Sequence, residues 1–251
     1  MQAYIGGIVQ MSTVDWPKNV CTVVFFAGCD FNCPYCQNST IIEFKEEFLK
    51  DLKIVKEDIR KNLDFIDAVL FSGGEPCLQR GPLLELASYA KKLHLKVGIE
   101  TNGSKPEVIM NMLNEGLLDF VGLDIKAPLN DVKLFEKATK SQTFFKTTDE
   151  VVQNLRQTLM ILKQNQDRLQ IEIRTTICPG ITYKKEDLLA IAEEIKELDC
   201  RWSLQQFRPD IGTILDPMLR NVNSPTKEFL ENMKEAVLKK YHNMRIDVKA
   251  V

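Results

Sequence analysis

The sequence predicts an α/β fold, an incomplete (β/α)6 TIM-like barrel, and two observations support this prediction. Short runs rich in Val, Ile and Phe alternate with segments of helical periodicity along the 251 residues, which is typical of a parallel sheet with right-handed crossovers. Six good strand–helix units can be counted after an N-terminal extension, whereas a closed eight-unit barrel typically needs about 250 residues. An open doubly wound sheet is the structural alternative.

Seven segments are predicted to be strands because Val, Ile and Phe dominate most of them, as in strands that are covered on both faces. They are CTVVFFA (21–27), DAVLFSG (67–73), KVGIET (96–101), FVGLDIK (120–126), QIEIRTTI (170–177), WSLQQF (202–207) and RIDVKA (245–250). In either fold, the residues that carry the function should lie at the C-terminal ends of these strands.

Five segments carry apolar residues at helical spacing or a helix-capping pattern. They are 43–61, a helix opened by Pro82, a helix capped by Thr148, 184–198, and a helix capped by Ser224 ahead of Pro225. We expect a single domain over 1–251. It would comprise an N-terminal extension at 1–19, a β/α core at 20–210, and a C-terminal helix and strand at 211–251.

The charge balance and the apolar runs limit the function classes. The 33 basic and 35 acidic side chains give a formal charge of −2, which argues against a dedicated nucleic-acid or membrane-surface binder. The longest apolar runs, VVFF and AVLF, are far shorter than the roughly 20 residues that cross a bilayer. The first residues lack the basic segment and apolar core of a secretory signal. We therefore expect a cytoplasmic protein with no nucleic-acid or membrane partner.

Three of the seven cysteines, Cys29, Cys33 and Cys36, form the pattern C-x3-C-x2-C just after the first predicted strand. Disulfides do not persist in a reducing cytosol, so clustered cysteines are better interpreted as metal ligands or redox groups. A structural zinc site takes four ligands, and no fourth is obvious here. A [4Fe–4S] cluster held by three thiolates keeps one iron free of protein. The alternatives are chance proximity and a zinc site completed by a distant cysteine.

Tyr35 precedes the last of these cysteines, and C-x3-C-x-aromatic-C resembles the signature of radical S-adenosylmethionine (SAM) enzymes. The resemblance implies a [4Fe–4S] cluster on Cys29, Cys33 and Cys36, with SAM chelating the free iron and Tyr35 at the cofactor. It implies reductive cleavage of SAM to a 5′-deoxyadenosyl radical. No catalytic residue is identified beyond the cluster and SAM. The other four cysteines are scattered and predict buried apolar residues rather than a second cluster.

The stretch FSGGEP follows the second predicted strand. Consecutive glycines permit close approach of a ligand to the backbone, and the glutamate adds a carboxylate at the strand end. Taken alone, this pattern is typical of a strand-to-helix turn. In the radical SAM family, a similar motif contacts the methionine amino group of SAM, which implies that Gly73, Gly74 and Glu75 bind the cofactor.

The stretches IETNG and LDIKAP end the third and fourth predicted strands. Asp124 and Lys126 point to the same face because side chains alternate along a strand, and they could form a structural ion pair. Both stretches resemble motifs of activating enzymes for glycyl-radical proteins. That resemblance implies Glu100, Thr101 and Asp124 near a monovalent cation. It places Lys126, Asn102 and the two carboxylates at the SAM site, although the formate-lyase activator has Asp where this chain has Glu100.

Two arginines end the later strands, in IRTTICPG and LQQFRP. Arg174 and Arg208 could bind a carboxylate or phosphate in bidentate fashion, or they could be ordinary cations at the rim. We assign Arg174 to the cofactor site. Whether Gln206 or Arg208 contacts SAM is left open, because the formate-lyase activator has a histidine in that region.

The opening GGIVQMSTVDWPKNVCTVVFFAGCDFNCPYCQN, together with LQQFRP, resembles the longer type of anaerobic ribonucleoside-triphosphate reductase activating protein. The resemblance implies that the enzyme generates a glycyl radical on the reductase, with flavodoxin or ferredoxin as electron donor. The alternatives are the activator of another glycyl-radical enzyme and a small-molecule radical SAM enzyme such as 7-carboxy-7-deazaguanine synthase. A non-catalytic iron–sulfur or zinc-binding protein is a further possibility.

Overall fold

The computed structural model describes residues 1–250 and contains nine strands and seven α-helices within them. The strands are β1 (Gln2–Ser12), β2 (Cys21–Phe26), β3 (Leu49–Asp51), β4 (Ala68–Gly73), β5 (Lys96–Thr101), β6 (Phe120–Asp124), β7 (Gln170–Ile177), β8 (Arg201–Gln206) and β9 (Arg245–Lys249). The helices are α1 (Leu52–Lys61), α2 (Arg80–Lys92), α3 (Pro106–Asn114), α4 (Val132–Thr139), α5 (Thr148–Gln164), α6 (Lys185–Ile195) and α7 (Lys227–Leu238). None of the described helices is long and apolar enough to cross a bilayer.

The strands form one mixed sheet in the order β3-β1-β2-β4-β5-β6-β7-β8-β9. Strands β2, β4 and β5 pair in parallel, as do β7, β8 and β9, while β1 pairs antiparallel with β2 and β3. From β4 to β9 the order follows the chain, without the reversal of strand order that marks a doubly wound sheet. Among residues 1–250, β3 and β9 are the end strands, so the sheet is not closed into a full barrel. The predicted α/β fold is confirmed.

One compact unit comprises Met1–Asp30, Thr40–Thr101 and Lys105–Gly122. Its core includes the stacked rings of Trp16 and Phe120, whose centroids lie 4.9 Å apart. Both rings pack with Val23 and Leu70 of two neighbouring parallel strands. Burying an aromatic ring such as Phe120 stabilises the fold by roughly 1.5–3 kcal/mol relative to leaving it in water. This core fixes the positions at which β2, β4 and β5 end.

The second compact unit comprises Phe31–Ser39, Asn102–Ser104 and the described residues from Leu123 onward. Its core is built on Trp202, which is fully buried and donates a hydrogen bond from Nε1 to Thr175 Oγ1 at 3.0 Å. The pairing satisfies the polar edge of the indole, which would otherwise be costly to bury. Helix α5 belongs to this unit and buries its apolar residues. It begins with a capping box between Thr147 and Glu150.

The predicted helix over 43–61 is wrong in its first part. Strand β3 occupies Leu49–Asp51 and pairs with β1, and α1 begins only at Leu52. The Asp51 carboxylate caps it by accepting a hydrogen bond from Lys53 N at 2.9 Å. The ring of Phe44 suggested a helical repeat, but it packs edge-on against Tyr4 at 5.1 Å. The apolar residue at position 44 therefore reflects this contact with Tyr4 and not the buried face of a helix.

The seven predicted strands are confirmed to within two residues, whereas β1, β3, α3 and α4 were not predicted. The predicted helix starts are also displaced. Helix α2 begins at Arg80 rather than Pro82, α5 is capped by Thr147 rather than Thr148, and α7 is capped by Thr226. Adjacent Ser and Thr residues are equivalent as caps in a sequence, and only the folded backbone selects among them.

Candidate cofactor site

The first part of the cysteine loop follows β2 directly and belongs to the first unit. The backbone N–H groups of Gly28 and Cys29 donate to the carbonyls of Ile41 and Ile42 at 2.8 and 2.9 Å. Gly28 has a φ of +92°, and a Cβ there would lie 2.2 Å from the Phe44 ring. Only glycine fits this position without displacing the ring. The half-buried Cys29 is therefore held on a segment with a defined path.

The second part of the loop, with Cys33 and Cys36, belongs to the second unit. The two residues form a turn in which Cys36 N donates to Cys33 O at 3.0 Å. Burial raises the pKa of the Cys33 thiol to about 12, and the positive charge of Lys126 opposes this shift. Burial also raises the pKa of Cys36. Both groups are therefore neutral thiols at pH 7, and metal binding must displace their protons.

Residues 208–216 hold the residues after Cys33 through contacts that sequence reasoning did not predict. Asp216 N donates to Pro34 O at 2.9 Å, and Thr213 N donates to Gln37 O at 3.0 Å. Gln37 Nε2 returns a hydrogen bond to the carbonyl of Arg208 at 3.1 Å. The partners are more than 170 positions apart in the chain, so no local pattern could have paired them. The only sequence signal is the turn-forming Asp-x-Gly of DIGT.

Gly212 in this segment has a φ of +70°, and a Cβ there would lie 2.5 Å from Gln37 O. We expect Gly212→Ala to displace the cysteine loop and lower the iron content after anaerobic reconstitution by half or more. Gly180→Ala is the matched control, because Gly180 has a φ of +77° and open space around its Cβ position. Equal iron content in the two variants would show that backbone strain alone acts, and that the contact with Gln37 does not support the loop.

The glycine motif holds the end of β4 against the cysteine loop within the first unit. Gly74 N donates to Phe26 O, and Glu75 N donates to Gly28 O, both at 2.8 Å. A Cβ on Gly74 would lie 2.2 Å from Gly28 O, and one on Gly73 would lie 2.3 Å from Phe26 O. The glycines therefore permit contact between two backbones, in addition to the cofactor contact predicted from the sequence.

Glu75 is fully buried, and neighbouring residues donate hydrogen bonds to it. Its Oε1 accepts hydrogen bonds from Thr101 Oγ1 at 2.8 Å and from Cys77 N at 3.0 Å. On the neighbouring strand end, Glu100 Oε2 accepts a hydrogen bond from Ser72 Oγ at 2.7 Å. The first unit thus brings together the glycine motif and the predicted residues Glu100 and Thr101.

Asp124 and Lys126 form an ion pair at 3.0 Å in the second unit. Burial alone would lower the pKa of Lys126, but the Asp124 carboxylate and the nearby Cys33 and Tyr35 raise it above its usual range. The charge of Lys126 in turn favours ionisation of Cys33, Cys36 and Tyr35. The structure therefore brings Asp124 and Lys126 to the predicted cluster and cofactor residues of this unit.

Two further predicted residues occupy separate positions in the second unit. The buried Asn102 accepts a hydrogen bond from Ser104 N at 2.9 Å, which forms a tight turn after β5. Arg174 contacts Glu172 on the same strand at 3.2 Å. Glu172 is buried and also accepts hydrogen bonds from Ser203 Oγ and Lys249 Nζ. The guanidinium of Arg174 thus has a protein carboxylate as partner, and its assignment to the cofactor stays a prediction.

The residues left open at the end of β8 also have protein partners. Arg208 forms two hydrogen bonds with the Asp210 carboxylate, at 2.6 and 2.9 Å. Gln206 Nε2 donates to Pro225 O at 2.8 Å.

The chemistry of the described cysteines fits the ligand set of an iron–sulfur cluster. All seven cysteines are free thiols, so the three loop cysteines are available as ligands. Within residues 1–250 there is no group of three or more His, Cys, Asp and Glu side chains in position to hold one ion. The thiolates of a four-iron cluster each bind a different iron, and three free thiols leave the fourth iron without a protein ligand. The donor set is therefore consistent with an iron–sulfur cluster.

Sequence comparison identifies relatives that match most of the chain. The sequence profile of the radical SAM superfamily matches residues 23–195. A protein of Methanocaldococcus jannaschii, described as a candidate glycyl-radical enzyme activating enzyme, is 35% identical over 83% of this chain and 82% of its own length. The pyruvate formate-lyase-activating enzyme of Clostridium pasteurianum is 29% identical over 77% of this chain and 76% of its own.

Other relatives match a smaller part of the chain. The 7-carboxy-7-deazaguanine synthase of Thermococcus kodakarensis is 29% identical over 41% of this chain and 47% of its own length. Among solved structures, QueE from Escherichia coli is similar over 100% of this chain and 95% of its own, with 14% identity and a TM-score of 0.54. At that identity the structural likeness establishes the fold alone.

Proposed function

Because the chain belongs to the radical SAM superfamily, we propose that it activates a glycyl-radical enzyme by generating a glycyl radical on that partner. The partner that the sequence favours is an anaerobic ribonucleoside-triphosphate reductase. Flavodoxin or ferredoxin would supply the electron. The domain assignment is one radical SAM domain over the whole chain.

The extent of the sequence similarity is the observation that favours this proposal over the alternatives. The match to the candidate glycyl-radical activating enzyme covers more than four fifths of both chains, and that to the formate-lyase activator covers about three quarters. The match to the deazaguanine synthase covers less than half of either protein. Similarity over most of both chains extends beyond the segments predicted to bind the cofactor, whereas a match over less than half of the chain can reflect the shared cofactor site alone.

In the proposed site, Cys29, Cys33 and Cys36 hold a [4Fe–4S] cluster. When bound, the cluster and SAM supply a one-electron reductive cleavage that produces a radical able to abstract hydrogen. Lys126 places a positive charge at Cys33 and Cys36, which stabilises the thiolates that a metal requires. Its charge is also suited to the carboxylate of SAM.

The remaining residues orient the cofactor. Glu75 accepts hydrogen bonds from Thr101 and the N–H of Cys77, and its carboxyl group is suited to accept a hydrogen bond from the amino group of SAM. Tyr35 is 95% buried, and its hydroxyl has no hydrogen-bond partner among the described residues. A buried hydroxyl without a partner is costly, and a bound cofactor would satisfy it. We retain Glu100, Thr101 and Asp124 as the proposed site of a monovalent cation.

We expect Thr101→Val to weaken SAM binding, because it removes a donor to the buried Glu75 carboxylate. The loss of such a donor costs about 1–3 kcal/mol, or roughly 5- to 150-fold in affinity. Equilibrium binding of SAM to the reconstituted protein measures the effect, with and without potassium in the buffer. Thr101→Ser keeps the donor and should bind normally in both buffers. A deficit of Thr101→Val that disappears without potassium would instead assign Thr101 to the cation.

Three measurements on the anaerobically reconstituted protein test the proposed function. Iron analysis should find four irons per chain, and one zinc would contradict the proposal. Dithionite and SAM should yield 5′-deoxyadenosine. Electron paramagnetic resonance should detect a glycyl radical on the reductase encoded in the same genome. Conversion of the pterin substrate of deazaguanine synthases to a ring-contracted product, with no radical on the reductase, would establish the rival function.

A further inference from the structure

The loop between α4 and α5 carries two adjacent phenylalanines that lie almost entirely in solvent. Phe144 is 94% exposed and Phe145 is 91% exposed, and their rings meet edge-to-face at 5.1 Å. Single exposed apolar side chains are ordinary, but two neighbouring exposed rings are the kind of patch that marks an interaction site. Aromatic side chains of this type commonly anchor protein interfaces. We call Phe144 and Phe145 the aromatic tip.

The base of this loop is fixed by hydrogen bonds. Glu136 Oε2 accepts from Ser141 N at 3.1 Å, Gln142 N at 3.0 Å and Thr148 Oγ1 at 2.6 Å. At the tip, Thr143 N donates to Lys146 O at 2.9 Å. These hydrogen bonds define the path of the loop, and both rings at its tip are exposed to solvent. An ordered loop loses less conformational entropy when it binds.

The same helix that starts this loop contacts the cysteine loop. The ring of Phe135 in α4 meets Phe31 edge-on at 6.2 Å, and Thr139 O at the end of α4 accepts from Asn32 N at 2.8 Å. Asn32 is the neighbour of Cys33 in the chain. The aromatic tip is therefore built on the helix that positions this part of the cysteine loop.

The distance along the chain limits how far the tip can lie from the cysteines. Phe144 is five residues beyond Thr139, so it lies at most about 18 Å from that residue, and the turn at Thr143 shortens this span. A typical protein interface covers about 800 Å² per partner, a patch of about 16 Å radius. The 18 Å upper limit is comparable to this radius, so a partner that delivers a backbone glycine to the cysteine loop can also reach the tip.

We propose that the aromatic tip docks into an apolar pocket of the glycyl-radical protein, next to its glycine-bearing loop. This inference rests on the proposed function and assigns it a contact surface. Lys137 and Lys140 are exposed in the segments that flank the tip, and so are Asp149 and Glu150. Because both signs of charge flank the tip, recognition is expected to depend on the apolar contact of the two rings rather than on net charge.

The test compares radical formation with SAM cleavage in the F144S/F145S double variant. The apparent KM for the reductase, measured from glycyl-radical yield, should rise about tenfold or more, the effect of removing an aromatic anchor. Iron content and partner-free SAM cleavage with dithionite should equal those of wild type. F144L/F145L should recover most of the affinity. Phe65→Ser is the matched control, because Phe65 is 68% exposed on a loop of the other unit, and it should behave as wild type.

Four outcomes would overturn the inference, and one of them also tests the proposed function. An unchanged KM in the double variant, with an active wild type, would show that the aromatic tip has no role in docking and would leave the proposed function intact. Light scattering that shows a wild-type dimer dissociated by F144S/F145S would assign the tip to a second copy of this chain. Flotation of wild type, but not the variant, with phosphatidylserine vesicles would assign it to a lipid surface. A wild type that cleaves SAM yet leaves the reductase without a radical removes the proposed function, and with it this inference.

Discussion

Replacing any one of Cys29, Cys33 and Cys36 with alanine is expected to abolish reductive SAM cleavage. Each thiolate is proposed to hold a separate iron of the cluster, and no other cysteine of the described residues lies in this loop. The variants should lose the visible absorbance of the cluster after reconstitution. Formation of 5′-deoxyadenosine with dithionite should fall to the background of the cofactor alone. Retention of SAM cleavage in any one of the three variants would contradict the proposed site.

The alanine variants should fold normally before any metal is added. The loop is held by backbone hydrogen bonds, such as Cys36 N to Cys33 O and Cys29 N to Ile42 O, which alanine preserves. Thermal unfolding of the metal-free proteins should therefore agree with wild type within a few degrees. Cys200→Ala is the matched control, because Cys200 is buried in the second unit outside the cysteine loop. It should retain both iron and SAM cleavage.

The sequence was most informative where function and local structure coincide. The cysteine motif and the glycine motif each follow a predicted strand, and the structure places both directly after the ends of β2 and β4. Strands that are buried on both faces can be recognised in the sequence because they are near-continuous runs of apolar residues. The helix predicted over 43–61 was wrong in its first part because Phe44 packs against Tyr4, which is distant in the sequence, and does not belong to the apolar face of a helix.

The contacts that support the cysteine loop could not be predicted from the sequence. Thr213 reaches Gln37 from 176 positions away, and the hydrogen bond between Asn32 and Thr139 spans more than 100 positions. Backbone groups donate or accept in most of these contacts, and backbone groups are the same in every residue. The aromatic tip was missed because two adjacent phenylalanines ordinarily indicate a buried segment.

Replacing Gly74 with alanine is expected to disrupt the cysteine loop even in the absence of SAM. The added Cβ would lie 2.2 Å from the carbonyl oxygen of Gly28, and backbone atoms cannot rotate away as a side chain can. Relief of this contact must separate Glu75 N from Gly28 O, a hydrogen bond of 2.8 Å. Overpacking of this kind costs about 1–3 kcal/mol or more. We therefore expect a lower melting temperature by several degrees, by about 2–4 °C per kcal/mol for a domain of this size.

Gly7→Ala separates this steric effect from the general effect of replacing a strand glycine. A Cβ on Gly7 in β1 has no atom within 4 Å, so this variant should match wild type in melting temperature and iron content. The comparison also distinguishes two roles for Gly74. If Gly74 serves only to admit SAM, Gly74→Ala should keep its iron and its stability and lose SAM affinity alone. If Gly74 holds the strand end against the cysteine loop, the metal-free protein should already be less stable, and less iron should be recovered before SAM is added.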